Sequence, residues 1–167
     1  MNDRSQWYIG TPNGVVLCIH AVHNGQLCGE LYHSYSPAPQ HFSSVDQMTR
    51  QMEQLYDWLN FPHKGTDSRS FVSVKPQYQR VQERERIMSD ESLLSRHGDI
   101  GTFIVRVQHR QNSSWQGRIT WMEQNKTLSF RSVWELMKLI ESAVDTVSVQ
   151  EDEGEPEKEP EWFEPEG

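Results

Sequence analysis

Two segments of this chain repeat one spacing of glycine and phenylalanine, and this repetition constrains the fold more than any other feature. Thirteen positions separate Gly29 from the Phe-Ser-Ser-Val motif that begins at Phe42, and thirteen separate Gly117 from the Phe-Arg-Ser-Val motif that begins at Phe130. Each motif is followed by apolar residues at spacings of three and four, which is typical of an amphipathic helix. The pattern predicts an internal duplication of one supersecondary unit.

Each unit is predicted to fold as a β-hairpin, a third strand and a helix. Asn24-Gly25 between alternating residues indicates a two-residue turn, and residues whose numbers sum to 49 would then pair. This register places Cys18, His20 and His33 on one face of the first sheet. Both faces of this hairpin are rich in apolar residues, so we expect both to be covered.

The second hairpin alternates more clearly between apolar and polar side chains. Trp115 and Trp121 fall with the apolar residues that should face the helix. Arginines fall on the opposite face, at Arg106, Arg110 and Arg118. We therefore take these three arginines as the candidate lining of a ligand or partner site, the alternative being a solvated strand face.

The net charge of −8 belongs to the C-terminal residues 150–167, which contain nine acidic residues and one lysine. Repulsion among these carboxylates, together with three prolines, predicts a disordered tail. Trp162 and Phe163 are unusual in such a segment. They are candidate partner-binding residues, either for another protein or for the body of this chain, the alternative being an incidental apolar pair in a solvated tail.

The predicted fold class is therefore α+β, with a first unit at residues 6–61, a charged connector at 62–100, a second unit at 101–149 and the tail at 150–167. The connector is expected to hold one possible strand and a short helix. We expect the units to pack as a pseudo-symmetric pair, because about 45 residues make a thin core on their own. The chain has no apolar run long enough for a membrane span and only two cysteines, which predicts a cytoplasmic protein in a reducing compartment.

The second unit, from Phe103 through Trp115 to the motif at Phe130, resembles small uncharacterised proteins of clostridial bacteria. That resemblance implies a bacterial, cytoplasmic and non-catalytic protein, and it supplies no functional residues. In architecture, a duplicated sheet-and-helix unit is similar to the Pur-repeat and Whirly folds, whose sheets bind single-stranded nucleic acid.

One further motif match concerns the second hairpin. Arg106-x-x-x-Arg110, followed by Asn112-x-Ser114-x-x-Gly117, resembles the two short motifs of PilZ domains, which bind a cyclic dinucleotide. In that family the two motifs are well separated, because the arginines lie on a loop before the barrel. Here the motifs touch within one hairpin, so we do not adopt this interpretation.

Metal and catalytic sites receive little support. Cys18, His20 and His33 would share a face, but there is no C-x-x-C or H-x-x-x-H spacing, and Cys28 would point away. A cysteine–histidine dyad is conceivable, but no nucleophile elbow, phosphate loop or carboxylate pair accompanies it. We predict no cofactor, no metal and no enzymatic activity.

The remaining features favour a non-enzymatic binding or regulatory module of the adaptor type, acting on another protein or through self-association. The alternative is a single-stranded nucleic-acid-binding protein that uses the arginine face, with the acidic tail as an autoinhibitory mimic of the nucleic acid.

Overall fold

The chain folds around one six-stranded antiparallel sheet of strand order β3-β2-β1-β4-β5-β6. A computed structural model describes residues 9–64, 70–72 and 84–151, apart from the side chains of 148–151. The elements in these ranges are β1 (Val15–His23), β2 (Gln26–His33), β3 (Gln40–Phe42), α1 (Val45–Leu59), α2 (Asp90–Leu94), β4 (Gly101–His109), β5 (Gln116–Trp121), a 3₁₀ turn (Met122–Gln124), β6 (Lys126–Phe130) and α3 (Val133–Glu151). The predicted α+β class is confirmed. The predicted tail was expected to begin at residue 150, but α3 continues through Glu151. The rest of the tail, from position 152 onward, lies outside the described residues.

The first hairpin turns where the sequence places it. His23 pairs with Gln26, so Asn24 and Gly25 form a two-residue turn, and both have positive φ angles, of 52° and 75°. Asparagine and glycine tolerate this conformation, which matches the twist of the flanking strands.

A β-bulge at His20 changes the pairing of the first hairpin beyond the turn. Ala21 pairs with Cys28 in the predicted register, but Ile19 pairs with Gly29 and Cys18 with Glu30. The extra residue reverses which face each later side chain occupies. The predicted placement of Cys18 and His33 on one face is therefore wrong.

A second bulge interrupts β4 at the corresponding place. Val107 pairs with Gly117, whereas His109 pairs with Gln116, so residue 108 is the extra one. In each hairpin the glycine opposite the bulge also pairs with the phenylalanine of the third strand, Gly29 with Phe42 and Gly117 with Phe130.

Glycine is required at both of these positions. A Cβ atom on Gly29 would lie 2.0 Å from the Cys18 carbonyl oxygen, and one on Gly117 would lie 2.0 Å from the Arg106 carbonyl oxygen. A glycine inside a strand often marks a place where another group approaches closely. The structure shows that the approaching group is the backbone of the neighbouring strand.

Helices α1 and α3 cover the same face of the sheet, which we call the helix face. Ser44 Oγ accepts a hydrogen bond from the Gln47 amide at 3.1 Å, and Ser132 Oγ accepts one from the Glu135 amide at 3.0 Å, so both helices begin with a serine cap. One apolar cluster joins both helices to all four long strands. The two predicted units therefore share a core.

The opposite face, which we call the second face, is covered over β1, β2 and part of β4. Leu93 and Leu94 of α2 pack there with Ile9, Val16 and Ile104. Both faces of the first hairpin are thus covered, as predicted. The short helix predicted in the connector is present as α2, whereas Phe71 and Val72 do not form the possible strand in the part of the connector that is described.

Strands β1 and β4 join the two halves of the sheet by antiparallel pairing. Val16 pairs with Ile104, and the pairing extends on either side, from Val15–Val105 to Ile19–Gly101. Among the described helices, none is long and apolar enough to cross a bilayer.

Candidate functional site

Two of the three predicted arginines meet on the second face of the sheet. Arg106 and Arg118 are direct cross-strand partners in β4 and β5. Arg106 is half-buried, and its Nε donates a hydrogen bond to the Ile9 carbonyl oxygen at 2.9 Å. Arg118 is exposed. The face therefore presents one exposed arginine beside one that is already engaged with the backbone.

Arg110 lies on the other side of the sheet, so the expectation that all three arginines share a face is wrong. The bulge at residue 108 reverses the alternation before Arg110 is reached. Its side chain is buried and donates hydrogen bonds to the Pro62 carbonyl oxygen and to Asp57 Oδ1, both at 2.7 Å. Arg110 is therefore a structural residue that ties β4 to helix α1.

Acidic residues of α1 complete this contact. Glu53 accepts a hydrogen bond from the Trp115 indole at 2.9 Å, and the Lys64 ammonium lies 3.3 Å from Asp57 and 3.7 Å from Glu53. A cavity of about 220 Å³ lies beside these groups, but Arg110 and Lys64 in its wall already pair with Glu53. Trp115 faces the helices, as predicted from the alternation.

The cysteine and histidine candidates for a metal site are dispersed. Cys18 belongs to the apolar cluster of the second face, whereas His33 pairs with Val15 on the helix face. Burial is the main cause that raises the pKa of Cys18 to about 12, with a smaller contribution from Glu30, so its thiol stays protonated and is a poor nucleophile. Within the described ranges, no group of three or more histidine, cysteine or acidic side chains has the geometry to hold a metal ion.

A polar cluster around Glu30 was not anticipated from the sequence. The Tyr32 hydroxyl donates to Glu30, and the rings of His20 and His41 approach its carboxylate at 3.7 and 3.4 Å. The Tyr32 hydrogen bond, followed by the nearby histidines, holds the pKa of Glu30 below its usual range. The pairing register of β2 with β3 would have indicated part of this cluster, because it makes His41 and Glu30 cross-strand partners.

An open apolar cavity of about 210 Å³ lies on the helix face, between the last strands and α3. Its walls are formed by Phe103, Ile119, Trp121, Lys126, Leu128, Leu139, Ser142, Ala143 and Thr146. The indole N–H of Trp121 is buried and has no acceptor in the described part of the chain. Buried N–H groups are almost always paired, so an unpaired donor here is unusual.

The cavity opens beside a strand edge. β6 is the last strand of the sheet, and four of its five residues are exposed. Leu128 is on the helix face opposite Ile119 and keeps 57 % of its surface accessible, although it lines the cavity. Sheet edges of this kind present unpaired backbone donors and acceptors to other chains.

The remaining predicted site residues, Trp162 and Phe163, lie outside the described residues. Comparisons with protein-family models, with curated proteins and with solved structures found no match to this chain.

Proposed function

We propose that this protein is a non-enzymatic binding module of the adaptor type, and that it captures a segment of another protein at β6 and α3. The observation that carries the proposal is the open apolar cavity beside the exposed edge of β6. An apolar cavity with a strand edge at its mouth suits an extended peptide, because the backbone can pair with the edge while a side chain enters the cavity.

The chemistry of the walls defines the partner. Phe103, Ile119 and Leu139 favour a large apolar side chain. Lys126 at the wall favours acidic residues near that side chain. The partner is thus an extended segment with an aromatic anchor and acidic neighbours.

We also propose that the chain arose by internal duplication. Equivalent positions around the two bulges are separated by 88 residues, Ile19 from Val107 and Gly29 from Gly117. By the same separation, Val16 is equivalent to Ile104, and these two residues are also cross-strand partners. The β1–β4 pairing is therefore symmetric about this pair, as it would be between two copies in a symmetric dimer. The serine caps of α1 and α3 follow the same spacing.

A bacterial, cytoplasmic setting is part of this proposal. The resemblance of the second unit to clostridial proteins supports the bacterial origin. The free thiols of Cys18 and Cys28 support a reducing compartment.

The test uses two variants of β6 that change the charge equally. Leu128→Lys places an ammonium at the mouth of the cavity, whereas Ser129→Lys places it on the opposite face of the same strand. Affinity capture from a lysate of the source organism, with nuclease treatment, is expected to recover a protein with the wild type and with Ser129→Lys but not with Leu128→Lys. Equal capture by all three proteins would contradict the proposal.

A second candidate is the binding of single-stranded nucleic acid, which the Arg106–Arg118 pair on the second face supports. It is less favoured because Arg106 already binds the Ile9 carbonyl, and because Trp115 and Trp121, which could stack on bases, face the helices. Fluorescence anisotropy with labelled oligonucleotides at low salt distinguishes the two. Binding that is lost in Arg118→Glu and kept in Leu128→Lys would favour this second candidate.

A further inference from the structure

We infer that the C-terminal tail of the same chain, through Trp162 and Phe163, occupies the apolar cavity between β6 and α3 and thereby regulates access to it. The regulatory part of this inference rests on the proposed function, because a covered cavity matters only if a partner uses it. The occupancy itself does not, and it is supported by the difference between the two halves of the sheet, by the walls of the cavity and by the place where the tail begins.

The corresponding place in the first half of the sheet is already closed by aromatic side chains. Tyr35 packs edge-on against Trp58 of α1, with ring centroids 5.5 Å apart, and Tyr35 belongs to the core of the helix face. In the second half, the position 88 residues after Trp58 is Thr146, which lines the open cavity. The second half therefore lacks the large side chain that covers the first.

The cavity suits an aromatic occupant. Apolar cavities of about 150 Å³ take up benzene in other proteins, and this one has about 210 Å³ of space. Glu161 and Glu164 flank the tail's aromatic pair, and Lys126 at the wall carries the opposite charge.

The tail begins close to the cavity. Helix α3 contributes Leu139, Ala143 and Thr146 to its walls and ends at Glu151, about 8 Å further along the helix axis. Eleven positions separate Glu151 from Trp162, and a chain of that length spans up to about 36 Å. A short tether of this kind gives a local concentration in the millimolar range, so a weak contact suffices for occupancy.

Methyl NMR of the full-length protein tests the occupancy. Replacing both aromatics (Trp162→Ala with Phe163→Ala) is expected to shift the methyl signals of Leu128, Leu139 and Ala143. The matched control, Glu157→Gln with Glu159→Gln, changes the same tail but leaves its aromatics and is expected to move these signals far less. Unchanged cavity methyl signals in the aromatic double variant would overturn the inference.

Disulfide trapping shows whether the occupant belongs to the same molecule. In the full chain, Glu164→Cys combined with Lys126→Cys is expected to form a cross-link within a monomer under mild oxidation. The control combines Glu164→Cys with Arg50→Cys on the exposed surface of α1 and is expected to cross-link several-fold more slowly. A cross-linked dimer, or equal rates for the two pairs, would overturn occupancy by the chain's own tail.

The capture experiment separates this inference from the proposed function. If the tail covers the cavity, the aromatic double variant should recover several-fold more of the partner that Leu128→Lys loses. Capture that depends on Leu128 but is unaffected by the tail variant, with no methyl shifts, would remove the inference and keep the proposed function. Methyl shifts and trapping without any Leu128-dependent capture would keep the occupancy and remove the proposed function.

Discussion

The three arginines predicted to form one site differ in burial and in hydrogen-bond partners. Arg118 is exposed and Arg106 is half-buried, whereas Arg110 is 4 % exposed and bound to two backbone carbonyls and two carboxylates. The carboxylates of Glu53 and Asp57 are more than a third exposed, so solvent weakens these ion pairs. The buried carbonyls make Arg110 difficult to replace.

Replacing Arg110 by methionine is expected to destabilise the protein by about 2–3 kcal/mol, because the Pro62 carbonyl loses its buried donor and the Tyr56 carbonyl keeps only its backbone donor, while the volume is nearly kept. The matched change Arg118→Met should alter the free energy of unfolding by less than about 0.5 kcal/mol. Urea unfolding measures both. Equal effects of the two substitutions would show that Arg110 is not a structural residue.

His33 provides a pH-dependent component of stability. It is buried, its Nδ1 accepts the Tyr35 amide hydrogen at 3.1 Å, and burial lowers its pKa from 6.5. The unfolded state therefore binds a proton at His33 more readily than the folded state does. The stability that neutral His33 contributes is fully present above pH 6.5, and it is lost as the pH falls toward the lower pKa of His33 in the folded state.

We expect the urea midpoint of the wild type to fall between about pH 7.5 and about pH 5.5, and this fall to be smaller in His33→Gln. His97→Gln removes an exposed histidine and should leave the fall unchanged. The interpretation would fail if His33→Gln had the same pH dependence as His97→Gln and the wild type.

At the level of elements, the two bulges are what the sequence pattern did not reveal. The hairpin turn at Asn24-Gly25 and the helices after Ser44 and Ser132 were predicted from local signals, since each depends on neighbours within a few residues. A bulge adds one residue without changing composition, and an alternation pattern remains readable on either side of it. The predicted faces therefore hold on one side of each bulge and reverse on the other.

The glycine opposite each bulge is expected to be intolerant of even a methyl group. Gly117→Ala and Gly29→Ala should each cost about 1–3 kcal/mol, because the added Cβ would overlap a backbone carbonyl that has no freedom to move. Gly101→Ala is the matched control, since its Cβ meets only the ring edge of Phe103 at 3.0 Å. A Gly117→Ala protein as stable as Gly101→Ala in urea would contradict this account.

At the level of the whole molecule, one core holds both halves of the sheet together. The apolar cluster of the helix face contains residues of β1, β2, β4 and β5 and of both long helices, and β1 pairs directly with β4. Neither half buries this surface alone, which agrees with the expectation that about 45 residues make too thin a core.

The described body should therefore unfold in one cooperative transition. Far-UV circular dichroism and tryptophan fluorescence are expected to give coincident urea curves, because Trp115 and Trp121 of the second half share a core with the first. Two separate transitions, or curves that do not coincide, would show that the halves fold as independent domains.

The sequence by itself determined the class of fold, the order of the elements and the hairpin turn, because spacing, turn residues and caps act over short stretches of chain. It also located the glycines that the fold cannot replace. The tertiary structure decided which side chains meet: it separated Arg110 from Arg118, and Cys18 from His33, and it left an apolar cavity open under α3. These outcomes depend on strand register and on packing between distant segments, which a pattern of residue types does not specify.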